Sequence, residues 1–285
     1  MRHAISNIAW QPGERLAAYE AMAAWQVTGL EIAPGLFFHA AEDPFRPDAA
    51  SARAAMAEIE AAGLALVSMQ SLLYGVEGAI LFGDPTEKAA FERGMVRAID
   101  LAGRFGIPNL VFGSPAQRRV PEGLAMHQAM EEAAAMMWTL GERAAAAGTV
   151  ISLEPNPAAY GTNFLNRLDE VELLVQLVGH PAVMINLDLG AMRMNGEYET
   201  TADRTPALAD RIGHVHVSEP HLQPAPADAA ALAPVLTALA GAGYARAVSI
   251  EMRRPDGGIA EVERSLARLV VASGRIVEPE ARHEC

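Results

Sequence analysis

Residues 149–156 read TVISLEPN, a short apolar run that ends on a glutamate and a proline. Three later stretches repeat the pattern: MINLDLG at 184–190, HVHVSE at 214–219 and VSIEM at 248–252. Each has the length and β-branched content of a strand, and each carries a polar ligand-type residue close to its end. A charge in that position is costly unless it is paired or bound to a cation.

Working outward from these stretches, the whole chain alternates short apolar runs with segments rich in Ala, Glu, Leu and Met. Two of the helical segments are Pro121–Ala147 and Asp228–Ala240. Alternation of this kind predicts βα units around a parallel sheet. The predicted strands are Ala4–Ala9, Leu30–Ala33, Leu64–Met69, Asn109–Phe112, Thr149–Leu153, Val183–Leu187, Ile212–Val217 and Ala247–Ile250.

Eight units without a Gly-x-Gly-x-x-Gly turn after the first strand favour a closed barrel over a doubly wound sheet. The length of 285 residues suits one such barrel, for which about 250 residues is typical. We therefore predict an α/β fold, a single-domain (β/α)8 TIM barrel over residues 1–274. A short polar C-terminal tail is expected over 275–285.

Composition excludes several classes of function. The net charge of −13 disfavours nucleic acid and anionic membrane surfaces as partners. The only cysteine is Cys285, so no intrachain disulfide is possible, and the only lysine, Lys88, begins a predicted helix, which argues against Schiff-base chemistry. The N-terminus resembles a strand and not a signal peptide, and no apolar run is long enough for a membrane span. A cytoplasmic protein with a small-molecule substrate is expected.

The predicted site lies where barrel enzymes carry their chemistry, at the C-terminal ends of the strands. Glu154, Asp188, His216 and Glu251 end or nearly end four successive strands. A single such residue is often a solvated loop residue, but three converging carboxylates would repel one another without a cation. The set favours one divalent metal, for which Mn2+, Co2+, Mg2+ and Zn2+ all suit mixed oxygen and nitrogen ligands. His214 faces the same side as His216 and is expected to be a core residue.

At these motifs the chain resembles the xylose-isomerase-like sugar phosphate isomerase/epimerase superfamily. The matching residues are Glu154-Pro155-Asn156, Leu187-Asp188, His214-Val215-His216 and Ile250-Glu251. Within that superfamily, the D-tagatose 3-epimerase and D-psicose epimerase group is the well-understood group with which we compare this chain. The N-terminal motifs Ser6-Asn7-Ile8-Ala9-Trp10 and Glu31-Ile32-Ala33-Pro34 resemble other members.

The resemblance implies a metal-dependent isomerase or epimerase that moves a proton alpha to the carbonyl of a small sugar or sugar acid. Glu154 and Glu251 would be metal ligands and also the catalytic acid and base, acting through a metal-stabilised enediolate. It further implies one metal ion, with Mn2+ foremost, and a homodimer or homotetramer. The expected substrate-binding residues are Asn156, Glu219, His221, Arg253, Gln70 and Trp10.

Three positions depart from the sugar epimerases, in which a histidine, a glutamate and an arginine stand where this chain has Ala191, Tyr160 and Leu222. The pattern indicates similar core chemistry on a different substrate. A second hypothesis concerns the substrate's charge, because Arg118, Arg119 and Arg253 follow predicted strands. At least one of them would bind a carboxylate or phosphate; the alternative is that they are surface arginines.

Other functions fit the same barrel. The main alternative is a metal-dependent lyase of the 3-dehydroshikimate dehydratase type. A phosphodiesterase similar to endonuclease IV would need three metals and more histidine ligands, which the eight histidines and the charge of −13 disfavour. A barrel that binds metal without turnover is the fourth interpretation. Proton exchange between substrate and solvent would distinguish an isomerase or epimerase from a barrel that binds metal without turnover.

Overall fold

In the computed structural model, which describes residues 1–274, eight parallel strands pair in chain order and the last pairs with the first. This closed barrel, with helices between its strands, confirms the predicted (β/α)8 fold. The expected tail at 275–285 lies outside the described residues. The strands are β1 (Arg2–Ser6), β2 (Gly29–Ile32), β3 (Ala65–Met69), β4 (Asn109–Phe112), β5 (Val150–Leu153), β6 (Val183–Asp188), β7 (Ile212–Ser218) and β8 (Ala247–Glu251).

Helices surround the barrel and bury their apolar faces against it. The last of them, for example, directs Val262, Leu266 and Leu269 into the core. None of the helices in the described part of the chain is long and apolar enough to cross a membrane. The helices are α1 (Arg15–Ala24), α2 (Pro34–Phe37), α3 (Ala49–Ala61), α4 (Pro85–Phe105), α5 (Met126–Ala146), α6 (Leu168–Val178), α7 (Leu189–Met194), α8 (Thr201–Leu208), α9 (Ala229–Gly241) and α10 (Gly258–Ala272).

Two element boundaries differ from the sequence-based expectation by three residues or more. The first strand ends at Ser6 and not at Ala9, because Asn7 turns the chain into a short 3-10 helix. The Asn7 side chain accepts a 2.7 Å hydrogen bond from the backbone N–H of Ala33, which ties it to the end of β2. Helix α5 begins at Met126 and not at Pro121, and Gly123 in the intervening turn has φ +88°.

A layer of buried polar side chains crosses the barrel interior beneath its C-terminal rim. The Ser152 hydroxyl donates to Asn109 Oδ1 at 2.5 Å, and Asn109 Nδ2 donates to Ser68 Oγ at 2.9 Å. These hydrogen bonds link β5, β4 and β3 inside the barrel. Because buried polar groups are stable only when they are hydrogen-bonded, the layer fixes the rotamers on which the site above it rests.

Candidate metal centre

The structure brings together the four residues that the sequence singled out. Glu154, Asp188, His216 and Glu251 are all buried, and one ligand atom from each lies within 4.8 Å of every other. Asp188 and Glu251 end β6 and β8, Glu154 directly follows β5, and His216 lies within β7. Parallel strands direct their C-terminal ends to one rim, which is why residues 97 positions apart, 251 − 154, meet there.

Local structure determines which oxygen of Asp188 faces the cluster. Asp188 is also the N-cap of α7, and its Oδ1 accepts 2.7 Å hydrogen bonds from the backbone N–H of Ala191 and from Ser218 Oγ. The other oxygen, Oδ2, lies 3.9 Å from His216 Nδ1. Because β6 passes directly into α7, the first turn of the helix holds one oxygen of Asp188, and the other oxygen is left to face the cluster.

Glu154 is held by two asparagines. Asn186 Nδ2 donates to Oε1 at 2.7 Å, and Asn156 Nδ2 donates to Oε2 at 2.8 Å. The Oδ1 atoms of both asparagines are buried without a hydrogen-bond partner among the described residues. The two amides therefore fix the orientation of Glu154 while their own oxygens stay unsatisfied beside the site.

His216 uses both ring nitrogens. Its Nδ1 lies 3.0 Å from Glu154 Oε1 and 3.3 Å from Glu251 Oε2. Its Nε2 lies 3.0 Å and 3.1 Å from the two carboxylate oxygens of Glu31, a residue at the opposite side of the ring. If Glu31 accepts the Nε2 hydrogen, Nδ1 and the Glu154 oxygen are two acceptors in contact, and Asn186 Nδ2 lies 3.2 Å from Nδ1 and 2.7 Å from that oxygen. A proton or a cation between the two acceptors would make their contact favourable.

The electrostatics of the cluster favour a cation. Burial, and then the negative charges of Glu154 and Glu251, raise the pKa of Asp188 to about 8. Burial raises the pKa of Glu251 as well. Burial by itself would lower the pKa of His216, but the surrounding carboxylates outweigh it and hold that pKa well above the ordinary value. Three buried carboxylates and an imidazole that compete for protons form a donor set suited to a divalent ion.

A cavity of about 390 Å3 opens above these residues at the C-terminal rim. Of the six residues expected to contact substrate, Asn156, Glu219 and His221 line it. Both carboxylate oxygens of Glu219 already have partners in the protein: Oε2 lies 3.2 Å from Arg193 Nε, and Oε1 accepts from the backbone N–H of Ala227. Tyr160 lines the cavity too, and its hydroxyl accepts a 3.1 Å hydrogen bond from the backbone N–H of His221.

The other three expected substrate contacts are not among the described residues that line the cavity. Trp10 packs edge-on against Tyr19 in the core and is 3% exposed. Gln70 is also buried, and its Nε2 donates to Ser6 Oγ at 2.6 Å. Arg253 has an exposed side chain, and its backbone N–H donates to the Leu222 carbonyl.

Neither of the arginines after β4 lines the cavity. Arg118 is fully buried, and its Nη2 donates to the backbone carbonyls of Glu154 and Leu165 at 2.8 Å and 3.3 Å. Burial lowers its pKa to about 10. Arg119 is close to the Gly161 carbonyl, at 3.4 Å. Arg118 thus supports the backbone under Glu154, which differs from the anion-binding role considered for it.

Two buried residues of the centre were not predicted as site residues from the sequence. Glu31 and Asn186 both contact the ligand cluster from beneath it. The available signal was a polar residue inside an apolar run, at Gly29-Leu30-Glu31-Ile32 and Met184-Ile185-Asn186-Leu187. Lys88 plays no part here, since it pairs with Glu132 on the outside of the barrel at 2.7 Å.

A family model described as a xylose isomerase-like TIM barrel matches residues 19–270 of the chain. No curated protein matches with significant similarity. Among solved structures, a D-psicose 3-epimerase from Clostridium cellulolyticum H10 with D-tagatose is similar at 17% identity and a TM-score of 0.76, covering 95% of this chain and 98% of that one.

Two further solved structures have the same fold. A 3-keto-D-glucoside 4-epimerase from E. coli, in its apo form, is 20% identical, with a TM-score of 0.74 over 95% of this chain and 99% of that one. An L-ribulose 3-epimerase is 20% identical, with a TM-score of 0.72 over 100% of this chain and 99% of that one. At these identities the likeness establishes the architecture alone.

Proposed function

The chain belongs to the xylose isomerase-like TIM barrel family, and from this premise we propose that it is a divalent-metal-dependent isomerase or epimerase of a small sugar-like hydroxy-carbonyl compound. The observation that carries the proposal is the convergence of Glu154, Asp188, His216 and Glu251 beneath the cavity. The sugar epimerases among its structural neighbours are consistent with it.

The same four residues would hold the ion. Their mixed oxygen and nitrogen donors suit Mn2+, Co2+, Mg2+ or Zn2+, and the family resemblance puts Mn2+ foremost. A divalent ion supplies positive charge that polarises a bound carbonyl group and lowers the cost of negative charge on its oxygen. A cytoplasmic location and a homodimer or homotetramer stay predictions from the sequence.

The chemical step rests on two carboxylates. Glu154 and Glu251 both line the cavity, and they come from strands that are not neighbours in the barrel, β5 and β8. In the proposed reaction one of them removes the proton on the carbon next to the carbonyl, and the other returns a proton to the resulting enediolate. Stereochemistry changes when the proton returns to the opposite face.

The cavity lining favours an uncharged substrate. Its described side chains include four carboxylates, the Asn156 amide, the Tyr160 phenol and the His221 ring, but no arginine or lysine. Such groups donate to and accept from hydroxyls, whereas a phosphate or carboxylate would normally be met by a cationic partner. We propose a polyhydroxy carbonyl compound without a phosphate group as the first substrate class to test.

The test is the wash-in of solvent deuterium at the substrate carbon, over a panel of ketoses, sugar acids and sugar phosphates. Glu154→Gln and Glu251→Gln each keep an oxygen for the ion but remove the base, so each should lower the rate about 10²–10⁴-fold. Glu197→Gln is the matched control, because Glu197 is buried but pairs with Arg167 and Arg204 outside the cavity.

Wild-type rates in both metal-loaded variants would refute the proton-transfer mechanism. Loss of water from the substrate, with a new ultraviolet absorption, would instead identify the lyase. Exchange without net conversion of any compound in the panel would support the acid–base pair and redirect the search for substrate.

A further inference from the structure

Glu31 is a buried carboxylate that the proposed chemistry leaves without a role. It lies in β2, is 0% exposed, and is not among the described residues that line the cavity. A carboxylate in such a place is costly unless its charge is compensated and its oxygens accept hydrogen bonds. Its compensation comes from β7, on which His214 and His216 both face it.

The contact with His216 is the closer one. Both Glu31 oxygens lie within hydrogen-bonding distance of His216 Nε2, at 3.0 Å and 3.1 Å. The two oxygens of an ionised carboxylate can only accept hydrogen bonds, so the donor in this pair is His216 Nε2. The hydrogen of the neutral ring therefore belongs on Nε2, and the Nδ1 lone pair is left for the ligand cluster.

Glu31 is itself held in place from below. Ser68 Oγ donates to its Oε1 at 3.1 Å, and Asn109 Nδ2 donates in turn to Ser68 at 2.9 Å. Ser152 completes the chain by donating to Asn109 Oδ1. Four adjacent strands thus contribute to a hydrogen-bonded series that ends on the far side of the His216 ring. Such a series restricts both the position of the carboxylate and the rotation of the imidazole.

We propose that Glu31 is a positioning residue for the metal centre. By accepting the Nε2 hydrogen of His216 it fixes the tautomer and the plane of the ring, and its negative charge makes Nδ1 a better electron-pair donor to the ion. The inference rests on the proposed metal site but assigns a function to a residue that never touches the substrate.

A second metal ion beside Glu31 is the alternative interpretation of the same contacts. Glu31, His214 and His216 also form a cluster whose ligand atoms lie within 4.8 Å of one another. His214 Nε2 is 3.4 Å from Glu31 Oε2, though not aligned for a hydrogen bond. A second ion there would take both nitrogens of His216 as ligands, so the ring would lose its remaining hydrogen. The hydrogen bond leaves that hydrogen on Nε2 and needs no second ion, which is why we favour it.

The test is metal affinity in Glu31→Gln. Metal-stripped full-length protein is titrated with Zn2+ and with Co2+, against a competing chelator, and the number of ions bound is counted. We expect affinity to fall about 10–100-fold, the usual effect of removing such a partner. Glu197→Gln, an equally conservative change at a buried glutamate that pairs with partly exposed arginines and is not in the cluster, should bind as wild type does. Glu31→Asp, which retains the charge, should lose less than Glu31→Gln.

A second measurement needs no variant. In the 15N histidine spectrum of the Zn2+-loaded wild type, the metal-bound ring should be ligated through Nδ1 and carry a slowly exchanging hydrogen on Nε2. The opposite tautomer would overturn the proposal even if Glu31→Gln failed to fold. A metal affinity of that variant within about threefold of wild type would also overturn it, because the expected loss of affinity is about tenfold or more.

The remaining outcomes separate the two proposals. Two ions per wild-type chain, with one lost in Glu31→Gln, would replace the positioning role by a second metal site. A wild type that binds no ion would overturn the proposed metal-dependent function together with the role of Glu31. Binding by the wild type with an unaffected variant would overturn the role of Glu31 alone.

Discussion

His216 is the residue at which the two layers of the centre meet. On one side its Nδ1 faces the carboxylates of Glu154 and Glu251, and on the other its Nε2 faces Glu31. An imidazole can join the layers because its two nitrogens point in different directions and carry one hydrogen between them. A lysine or arginine here could only donate, so it could pair with the carboxylates but could not bind a cation.

Tyr160 is the residue we expect to influence substrate binding most directly among the positions that depart from the sugar epimerases. Its hydroxyl accepts from the N–H of His221, whose φ of 58° is unusual for a residue other than glycine. Tyr160→Phe removes that acceptor and a group able to donate into the cavity. A neutral hydrogen bond is worth about 0.5–1.5 kcal/mol, so kcat/KM should fall about twofold to tenfold, mainly through KM.

Steady-state kinetics on the substrate found in the deuterium screen measure the effect. Tyr74→Phe is the control, because Tyr74 is 66% exposed and lies outside the main cavity. Equal kinetics for both variants would show that the Tyr160 hydroxyl contributes nothing to binding.

At the scale of elements, the connection from a strand to the next helix sets the position of the side chain at the strand end. The passage from β6 to α7 is the tightest case: a Cβ on Gly190 would lie 2.8 Å from Ser218 Oγ and 3.0 Å from the Glu219 carbonyl. Only glycine permits that approach, which lets the Gly190 N–H donate to Ser218 Oγ at 2.8 Å. Ser218 in turn donates to Asp188, so the close packing of the two elements orients this candidate metal ligand.

Helix α4 depends on its first turn. Asp84 accepts hydrogen bonds from the N–H groups of Thr86 and Glu87, at 2.7 Å and 2.9 Å, and Glu87 accepts from the N–H of Asp84. Asp84→Ala leaves these donors without their partner and should lower the free energy of unfolding by about 0.5–2 kcal/mol. Urea unfolding monitored by circular dichroism measures the change.

Asp100→Ala provides the matched comparison, since Asp100 is exposed in the interior of the same helix. Its effect should stay within about 0.5 kcal/mol. An equal loss in both variants would mean that the carboxylate matters through charge or helix propensity and not through capping.

For the molecule as a whole, removal of metal should destabilise the fold in a pH-dependent way. In the metal-free chain the pKa of Asp188 is raised from 3.8 to about 8, and those of Glu251 and His216 are raised too. At these three groups the folded chain holds protons that the unfolded chain has released, so their contribution to the free energy of unfolding falls as pH rises from about 4 to 8. The lowered pKa values of Glu31 and Glu154 act below about pH 4.5. Burial also lowers the pKa of His214 from 6.5, which opposes the trend below about pH 6.5, so the fall in stability is clearest above that pH.

Binding of a cation needs the ionised carboxylates, so it strengthens over the same window. Thermal melts of loaded and metal-stripped protein should accordingly show a larger loss of Tm at about pH 8 than at about pH 6. Metal-stripped Asp188→Asn should lose part of this dependence because it lacks one titrating group. A metal-free Tm that rises between these two pH values would contradict the prediction.

The barrel and the convergence of its four candidate ligands could be predicted from the sequence. Strand patterns such as TVISLEPN at 149–156 depend on local composition, and parallel strands place their ends on one rim. The positions of Glu154, Asp188, His216 and Glu251 at strand ends were therefore enough to predict that they would meet.

The other residues that contact these four could not be predicted from the sequence, because tertiary packing brings them there. Glu31 contacts His216 across 185 residues of chain, and pairing is irregular at Leu30/Glu31 and at Ile185/Asn186. Irregular register re-aims a side chain, so the period of two in a strand does not tell which way Glu31 or Asn186 points. Trp10 and Arg118, expected to face the substrate, lie outside the strands and are buried for a different reason. Packing between neighbouring elements, and not position along the chain, sets the direction of their side chains.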